Sequence, residues 1–235
     1  MALPKIATPV YTASLPSTGV NVTFRPFLVK EEKALLLAQQ TENAATILES
    51  VRGVINACTF EKLDMNALSM LDLEFLLVRI RAKSVGETQP LIIRCTATPG
   101  CSGHVEKTVN LETDVTSVTT EGHTRDIRLT DSVGIRLRYP TVQTSIGRLT
   151  SQNFDETDML IDCIECVWEG DTLTTPAEVA REELVEFLGN LTDEHFRKIQ
   201  HFFDTMPYMG FHTEFDCPAC GKHNVLDLRG IENFF

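Results

Sequence analysis

Seven cysteines are spread over 235 residues, and two of them, Cys217 and Cys220, are separated by two residues in Cys-Pro-Ala-Cys-Gly. Thiols at that spacing on a tight turn can chelate one metal ion. Pro218 shapes the bend, and Gly221 lets backbone amides approach the thiolates. The flanks, Phe215 before and Val225 to Leu228 after, read as strands. A thioredoxin-type redox pair needs a helix N-terminus after a strand, so the spacing points to metal before redox chemistry. A tetrahedral site needs two more donors. Cys95 and Cys101 lie in Arg-Cys-Thr-Ala-Thr-Pro-Gly-Cys-Ser-Gly-His, again between two strands, and Pro99-Gly100 turns their longer loop sharply. Both segments follow one plan of strand, Cys, tight turn, Cys, strand. Together they predict a closed site with Cys95, Cys101, Cys217 and Cys220 as ligands. Zinc is the default metal for four thiolates, and a closed site has no open position for water, so the expected role is structural. His104 and His223 could each replace a cysteine, although a surface histidine is the simpler reading of both.

Cys163 and Cys166 share the two-residue spacing, but they fall in a run over 155–168 that reads as an amphipathic helix. There they would share a face with Leu160 and Val167 and behave as small buried hydrophobes. Cys58 is also expected in the core. The chain has no G-x-S-x-G, Walker, H-E-x-x-H or Rossmann glycine motif, and its six histidines show no triad-like spacing. No catalytic constellation emerges, and the chain is expected not to be an enzyme.

The elements that would carry the cysteines follow from periodicity. Val20, Val22 and Phe24 alternate with polar residues after the Pro16–Gly19 turn, which predicts a β-hairpin. A helix is expected over 30–57, with a break near 39–43. A second, over 70–84, is apolar around most of its circumference and should be buried on several sides. Ser69 and Asp72 resemble a capping pair at its start. Strands are expected at 91–94 and 105–111 around the first cysteine pair, then at 127–129 and 135–137. Beyond Pro140 the reading is mainly helical. Thr175-Pro-Ala-Glu178 predicts a helix start and Gly189 its end; Thr192 caps the next helix, with Phe196, Ile199, Phe203 and Met206 inward. A last hairpin at 211–216 and 224–228 frames Cys217 and Cys220. The expected class is α+β: an N-terminal β-hairpin, a mainly helical body and a zinc-ribbon-like pair of β-hairpins. Four sections, 1–86, 87–140, 141–210 and 211–235, are expected to fold as one compact unit.

Apolar residues make up 43% and charged residues 23%, ordinary for a folded soluble chain long enough for one or two cores. The net charge of −12 repels a phosphate backbone. A nucleic-acid-binding zinc-ribbon regulator is therefore the second reading of the cysteines. Its best basic patch, Arg125, Arg128, Arg136 and Arg138, reads more simply as the wet face of two strands. No stretch is long and apolar enough for a membrane span, and residues 1–14 lack a secretory apolar region. Cysteines in such a chain point to metal or free thiols rather than disulfides.

Longer strings add a resemblance. Phe-Arg-Pro-Phe-Leu-Val-Lys-Glu-Glu-Lys at 24–33, residues 71–83, Gly-Ile-Arg-Leu-Arg-Tyr-Pro-Thr at 134–141, Phe-Phe-Asp-Thr-Met-Pro at 202–207 and Leu-Arg-Gly-Ile-Glu-Asn-Phe-Phe at 228–235 are the pieces that carry it. They resemble the baseplate hub subunit and hub-assembly family of T-even-type contractile-tailed bacteriophages. The resemblance implies a structural or assembly role in the tail baseplate hub. It also implies other hub and tail proteins as partners, and a place in the virion and, during assembly, in the host cytoplasm. The aromatic end, 231–235, is expected to pack internally or dock on a partner.

Overall fold

The computed structural model describes residues 6–151 and 155–229. The tail expected at 231–235 lies outside the described residues. In chain order the elements are β1 (Tyr11–Ser14), β2 (Asn21–Phe24), α1 (Val29–Gln39), α2 (Ala44–Cys58), α3 (Met70–Val85), β3 (Thr88–Arg94), β4 (His104–Asn110), β5 (Thr116–Val118) and β6 (Asp126–Arg128). Then follow β7 (Val133–Leu137), α4 (Val142–Thr150), α5 (Glu156–Cys163), β8 (Ile164–Glu169), β9 (Thr172–Thr174), α6 (Arg181–Gly189), α7 (Asp193–Thr205), β10 (Tyr208–Asp216) and β11 (His223–Arg229). Helices and small antiparallel sheets make this an α+β fold. Among the described residues no helix is long and apolar enough to cross a membrane.

The chain divides into two compact units. Among the described residues the first combines 6–64, 71–118 and 208–229; the second combines 65–70, 119–151 and 155–207. In the first, α3 buries Leu73, Leu76, Leu77, Val78 and Ile80 almost completely, as its all-round apolar sequence requires. Each such side chain contributes roughly 1.5–3 kcal/mol of transfer free energy. The break expected inside the helix over 30–57 is real: α1 stops at Gln39, and Asn43 caps α2 by accepting from the Thr46 amide. The turn between β1 and β2 is tied to α3, because the buried Asp72 carboxylate accepts from the Ser17 amide at 3.0 Å and from the Ser17 hydroxyl. Hairpin β3–β4 stands as a two-stranded sheet, whereas hairpin β10–β11 gains β5 as a third strand.

The second unit is a sheet in the order β6–β7–β8–β9. Its apolar face, with Ile127, Ile135, Leu137 and Ile164, packs with Leu160, Leu184, Ile199 and Phe202 from the helices. Three sequence expectations are corrected here. The helix over 155–168 ends at Cys163, and Ile164 to Glu169 form β8 against β7. Over so short a run periods of 2 and 3.6 cannot be told apart, and pairing with β7, which buries Ile164 completely, decides the outcome. Cys163 and Cys166 are both buried, so their core reading survives the change of element. The helix expected from Thr175 starts at Arg181. Glu178 does accept from the Thr175 amide and hydroxyl, but that local loop closes one turn and does not propagate. In α7 the cap at Thr192 is as expected, but Phe202 turns inward with Ile199 while Phe196 is half exposed.

The segment 24–33 joins several elements of the first unit. The Arg25 amide donates to the Cys58 carbonyl at the end of α2, and the Phe27 amide donates to the Ser84 hydroxyl near the end of α3. Glu31, only 6% exposed, accepts from both Arg25 guanidinium nitrogens at 2.9 and 3.1 Å and from the Leu28 amide at 2.5 Å. Burial pulls the Glu31 carboxyl up, but Arg25, the Leu28 amide and Lys30 outweigh it and hold the carboxyl below its ordinary value. A carboxyl lowered in the folded state stabilises the fold above the unfolded value of about 4.3, and the contribution is lost as pH falls through the folded value. Replacing Glu31 by Gln leaves Arg25 without its charge partner. Glu31→Gln should cost about 3 kcal/mol in urea unfolding at neutral pH and flatten the loss of stability on acidification. An unchanged unfolding midpoint would refute this account of the segment.

Candidate metal centre

Two hairpins carry the four cysteines singled out by spacing. Cys95 follows β3 directly, and Cys101 lies in the loop leading to β4. Cys217 follows β10, and Cys220 lies in the turn before β11. Each loop is closed by its own backbone: the Cys95 amide donates to the Gly103 carbonyl at 2.8 Å, and the Cys217 amide to the Lys222 carbonyl at 2.9 Å. Gly221, with φ at 69°, lets its amide turn back to the Cys217 carbonyl at 2.8 Å.

The four sulfurs lie within 4.8 Å of one another and could hold a metal ion. The contacts run crosswise between the hairpins. Cys95 Sγ is 3.8 Å from Cys220 Sγ, and Cys101 Sγ is 3.7 Å from Cys217 Sγ. A tetrahedron with metal–sulfur bonds of about 2.3 Å has edges of about 3.8 Å. A disulfide would need about 2.0 Å, and all four cysteines are free. Cys95 and Cys217 are buried, Cys101 is half-buried and Cys220 is exposed.

Neighbouring dipoles divide the thiols. The Thr98 hydroxyl, 3.5 Å from Cys220 Sγ, and the Lys222 amide lower the Cys220 thiol to about 6. At Cys101 the Gly103 amide pulls down, but desolvation and the three neighbouring sulfurs outweigh it and push the thiol up to about 11. The Cys220 thiol is thus the more readily ionised of these two. A metal ion must displace the remaining protons as it binds.

Three supporting residues lie outside the ligands that spacing identifies. A methyl group at Gly103 would sit 2.4 Å from Cys217 Sγ and 2.9 Å from Ala219 Cβ, so the close approach of the two loops requires glycine there. Asn224, 2% exposed, accepts from the amides of Thr96 and Ala97 at 2.9 and 3.0 Å and donates to the Lys222 carbonyl at 2.9 Å. It thereby fastens the first cysteine loop to the second. Lys107 on β4 donates to the Thr213 hydroxyl at 2.5 Å and the Glu214 carbonyl at 2.8 Å on β10. Only the glycine has a local signal, its place two residues after Cys101. The other two act across more than a hundred residues of sequence.

The other candidates lie elsewhere. Among the described residues the clustered set contains no histidine. His104 is exposed, and His223 Nδ1 is 2.9 Å from Asp216. Burial raises the thiols of Cys58, to about 11, and Cys163, to about 12, which makes both poor nucleophiles and poor ligands. In the arginine patch, Arg125 pairs with Glu165 and Arg136 with Asp126 at 2.6 Å, and Arg138 donates to the Asp162 carbonyl.

Comparison with known proteins covers the same length of chain. One relative, the baseplate hub assembly protein gp26 of Enterobacteria phage T4, is 24% identical over 219 residues, covering 91% of this chain and 92% of its own. No solved structure matches the chain. The family described as T4 bacteriophage base plate protein matches residues 8–235. That span takes in the N-terminal hairpin, both cysteine pairs and the described helices, and the chain belongs to this family.

Proposed function

We propose that this protein is a non-catalytic component that assembles the hub of a phage tail baseplate, with a structural zinc ion held by Cys95, Cys101, Cys217 and Cys220. The observation that carries the role is the end-to-end match to a relative named for hub assembly. Other hub and tail proteins are its partners. Its places are the tail baseplate of the virion and the host cytoplasm while the tail is built. The zinc reading rests on the donor set: four sulfurs at tetrahedral spacing suit zinc, and a closed set leaves no position for substrate or water. The two hairpins then form a zinc-ribbon-like pair. The acidic side chains Glu214, Asp216 and Asp227, exposed on β10 and β11, oppose a phosphate backbone and weigh against a nucleic-acid-binding ribbon.

Structural zinc contributes roughly 10–16 kcal/mol of apparent binding free energy in small domains, so the ion and the local fold should be lost together. The purified protein should contain about one zinc per chain, the capacity of a single closed tetrathiolate site. Cys220→Ser should lower that content and open both cysteine loops to protease, although they are far apart in sequence. Cys163→Ser should leave the zinc in place. Unchanged zinc in Cys220→Ser would show that the ligands are misassigned.

Gly103→Ala should weaken zinc retention against a chelator by about tenfold or more, because the added methyl separates the loops by a fraction of an ångström at the sulfurs. Equal retention would mean that the loops relax without cost.

The assembly role is tested by complementation of a phage deleted for this gene. The wild-type protein should restore complete baseplate hubs, and Cys220→Ser should fail or work only at low temperature. Complete hubs in the absence of the protein would overturn the role.

A further inference from the structure

Helix α1 turns an apolar surface to solvent. Successive residues of a helix are about 100° apart, so Val29, Lys33, Leu36 and Leu37 share one side of α1, and Glu31 and Ala38 lie on the other. Glu31 and Ala38 are buried, whereas Val29 is 79% exposed and Leu36 and Leu37 are each 54% exposed. The inner side rests on α2, where the Ser50 hydroxyl donates to the Ala34 carbonyl at 3.3 Å. The usual arrangement of a surface helix is thus reversed: a carboxylate and a methyl group face inward, and three aliphatic side chains face water. Single exposed leucines need no explanation, but an aligned stripe over about two turns marks a contact surface.

The charges of α1 are sorted in the same sense. Its acids are engaged within the protein. Glu31 pairs with Arg25 at 2.9 Å. Burial lowers the Arg81 guanidinium on α3, and the Glu32 carboxylate acts against that loss of charge. Its lysines lie outside. The Lys30 side chain is 75% exposed and comes no closer to Glu31 than 3.7 Å, and Lys33 is exposed within the stripe. A chain of net charge −12 therefore presents, on this one helix, an apolar stripe carrying positive charge.

We propose that this side of α1 docks an amphipathic helix of another baseplate protein, one whose apolar stripe is bordered by glutamate or aspartate. Residues 29, 33, 36 and 37 form a ridge at the spacing that fits between the ridges of a facing helix. Opposing carboxylates complement Lys30 and Lys33 and set the register. An anionic membrane surface fits less well. Lys33 stands between Val29 and Leu36, so insertion would carry its charge toward the acyl chains, whereas a facing carboxylate neutralises it in place. That the partner belongs to the baseplate rests on the assembly role proposed above; the chemistry of the contact does not.

The test uses the full-length protein and a fluorescent helical peptide of about 20 residues, long enough to hold a helix. The peptide is made of leucine, alanine and glutamate, with leucines three and four apart; in its counterpart lysine replaces every glutamate. The acidic peptide should bind saturably and more weakly as salt rises, and the basic one at least about tenfold less tightly. Leu36→Glu and Lys33→Glu should each weaken the acidic peptide by about tenfold or more, with the melting temperature unchanged because both side chains are exposed. In infected cells, a photo-crosslinking residue in place of Leu36 should join this protein to an acidic, leucine-bearing helical segment of a different baseplate protein. No binding of the acidic peptide, equal binding of the two peptides, or wild-type affinity in both variants would overturn the proposal. So would a preference for vesicles of anionic phospholipid, or cross-links confined to this chain or its copies. None of these results bears on the assembly role, which complementation by the wild-type protein decides.

Discussion

Four sulfurs within 4.8 Å of one another are the constraint on which the first unit depends. The crosswise contacts join residues 125 and 116 positions apart. Loop-closure entropy on that scale grows only slowly with length, but it must be met by something local to the contact. Apolar burial around the cysteine loops is modest: Cys220 is exposed, and Ile92 on β3 is 66% exposed. Four ionised thiols cannot share so small a space, so the cluster favours mostly protonated sulfur or a cation. A divalent ion bound there would remove the repulsion and add directional bonds where the two cysteine loops meet. Gly103, Asn224 and Lys107 follow from the same constraint, since each permits or fastens that approach.

The second unit, like the α3 core of the first, is held by apolar burial. Its sheet and helices bury Ile135, Leu137, Ile164, Ile199 and Phe202 almost completely. The half-buried His123 is also satisfied: it reaches the buried Thr205 hydroxyl at 3.0 Å and the Tyr139 hydroxyl at 3.1 Å, with its ring against Phe202. Such a core forms from generic apolar pressure and tolerates exchange of one aliphatic side chain for another. The cysteine loops have less latitude, because a methyl group at Gly103 would already collide with Cys217 Sγ.

The family resemblance takes on a physical meaning at residues 24–33. The string reads as an arbitrary mixture of aromatic, basic and acidic residues until its bonds are traced. Its backbone then proves to join the ends of α2 and α3, and its Arg–Glu pair is buried at the start of α1. A buried ion pair with two partners in fixed geometry does not admit conservative exchange, since Lys lacks the guanidinium fork and Asp lacks the reach. The distinctiveness of the string thus reflects a structural node. The β10–β11 surface is different in kind: its histidines and carboxylates are exposed and bear little of the packing.

The sequence by itself determined the α+β class, the break between α1 and α2, the all-round burial of α3 and the two cysteine-bearing hairpins. These follow from spacing, period and turn residues, which act over a few positions. It misjudged β8, where a six-residue run with β-branched and aromatic residues suits helix and strand alike until β7 offers its edge. It also placed the start of α6 too early, because a satisfied capping pair at Thr175 and Glu178 does not by itself extend a helix. Only the tertiary structure decided which sulfur faces which, that Gly103 must be a glycine, and that Asn224 holds the opposite loop. Each of these depends on distances between side chains on separate strands or loops, and strand register and loop packing, which local residue patterns do not encode, set those distances.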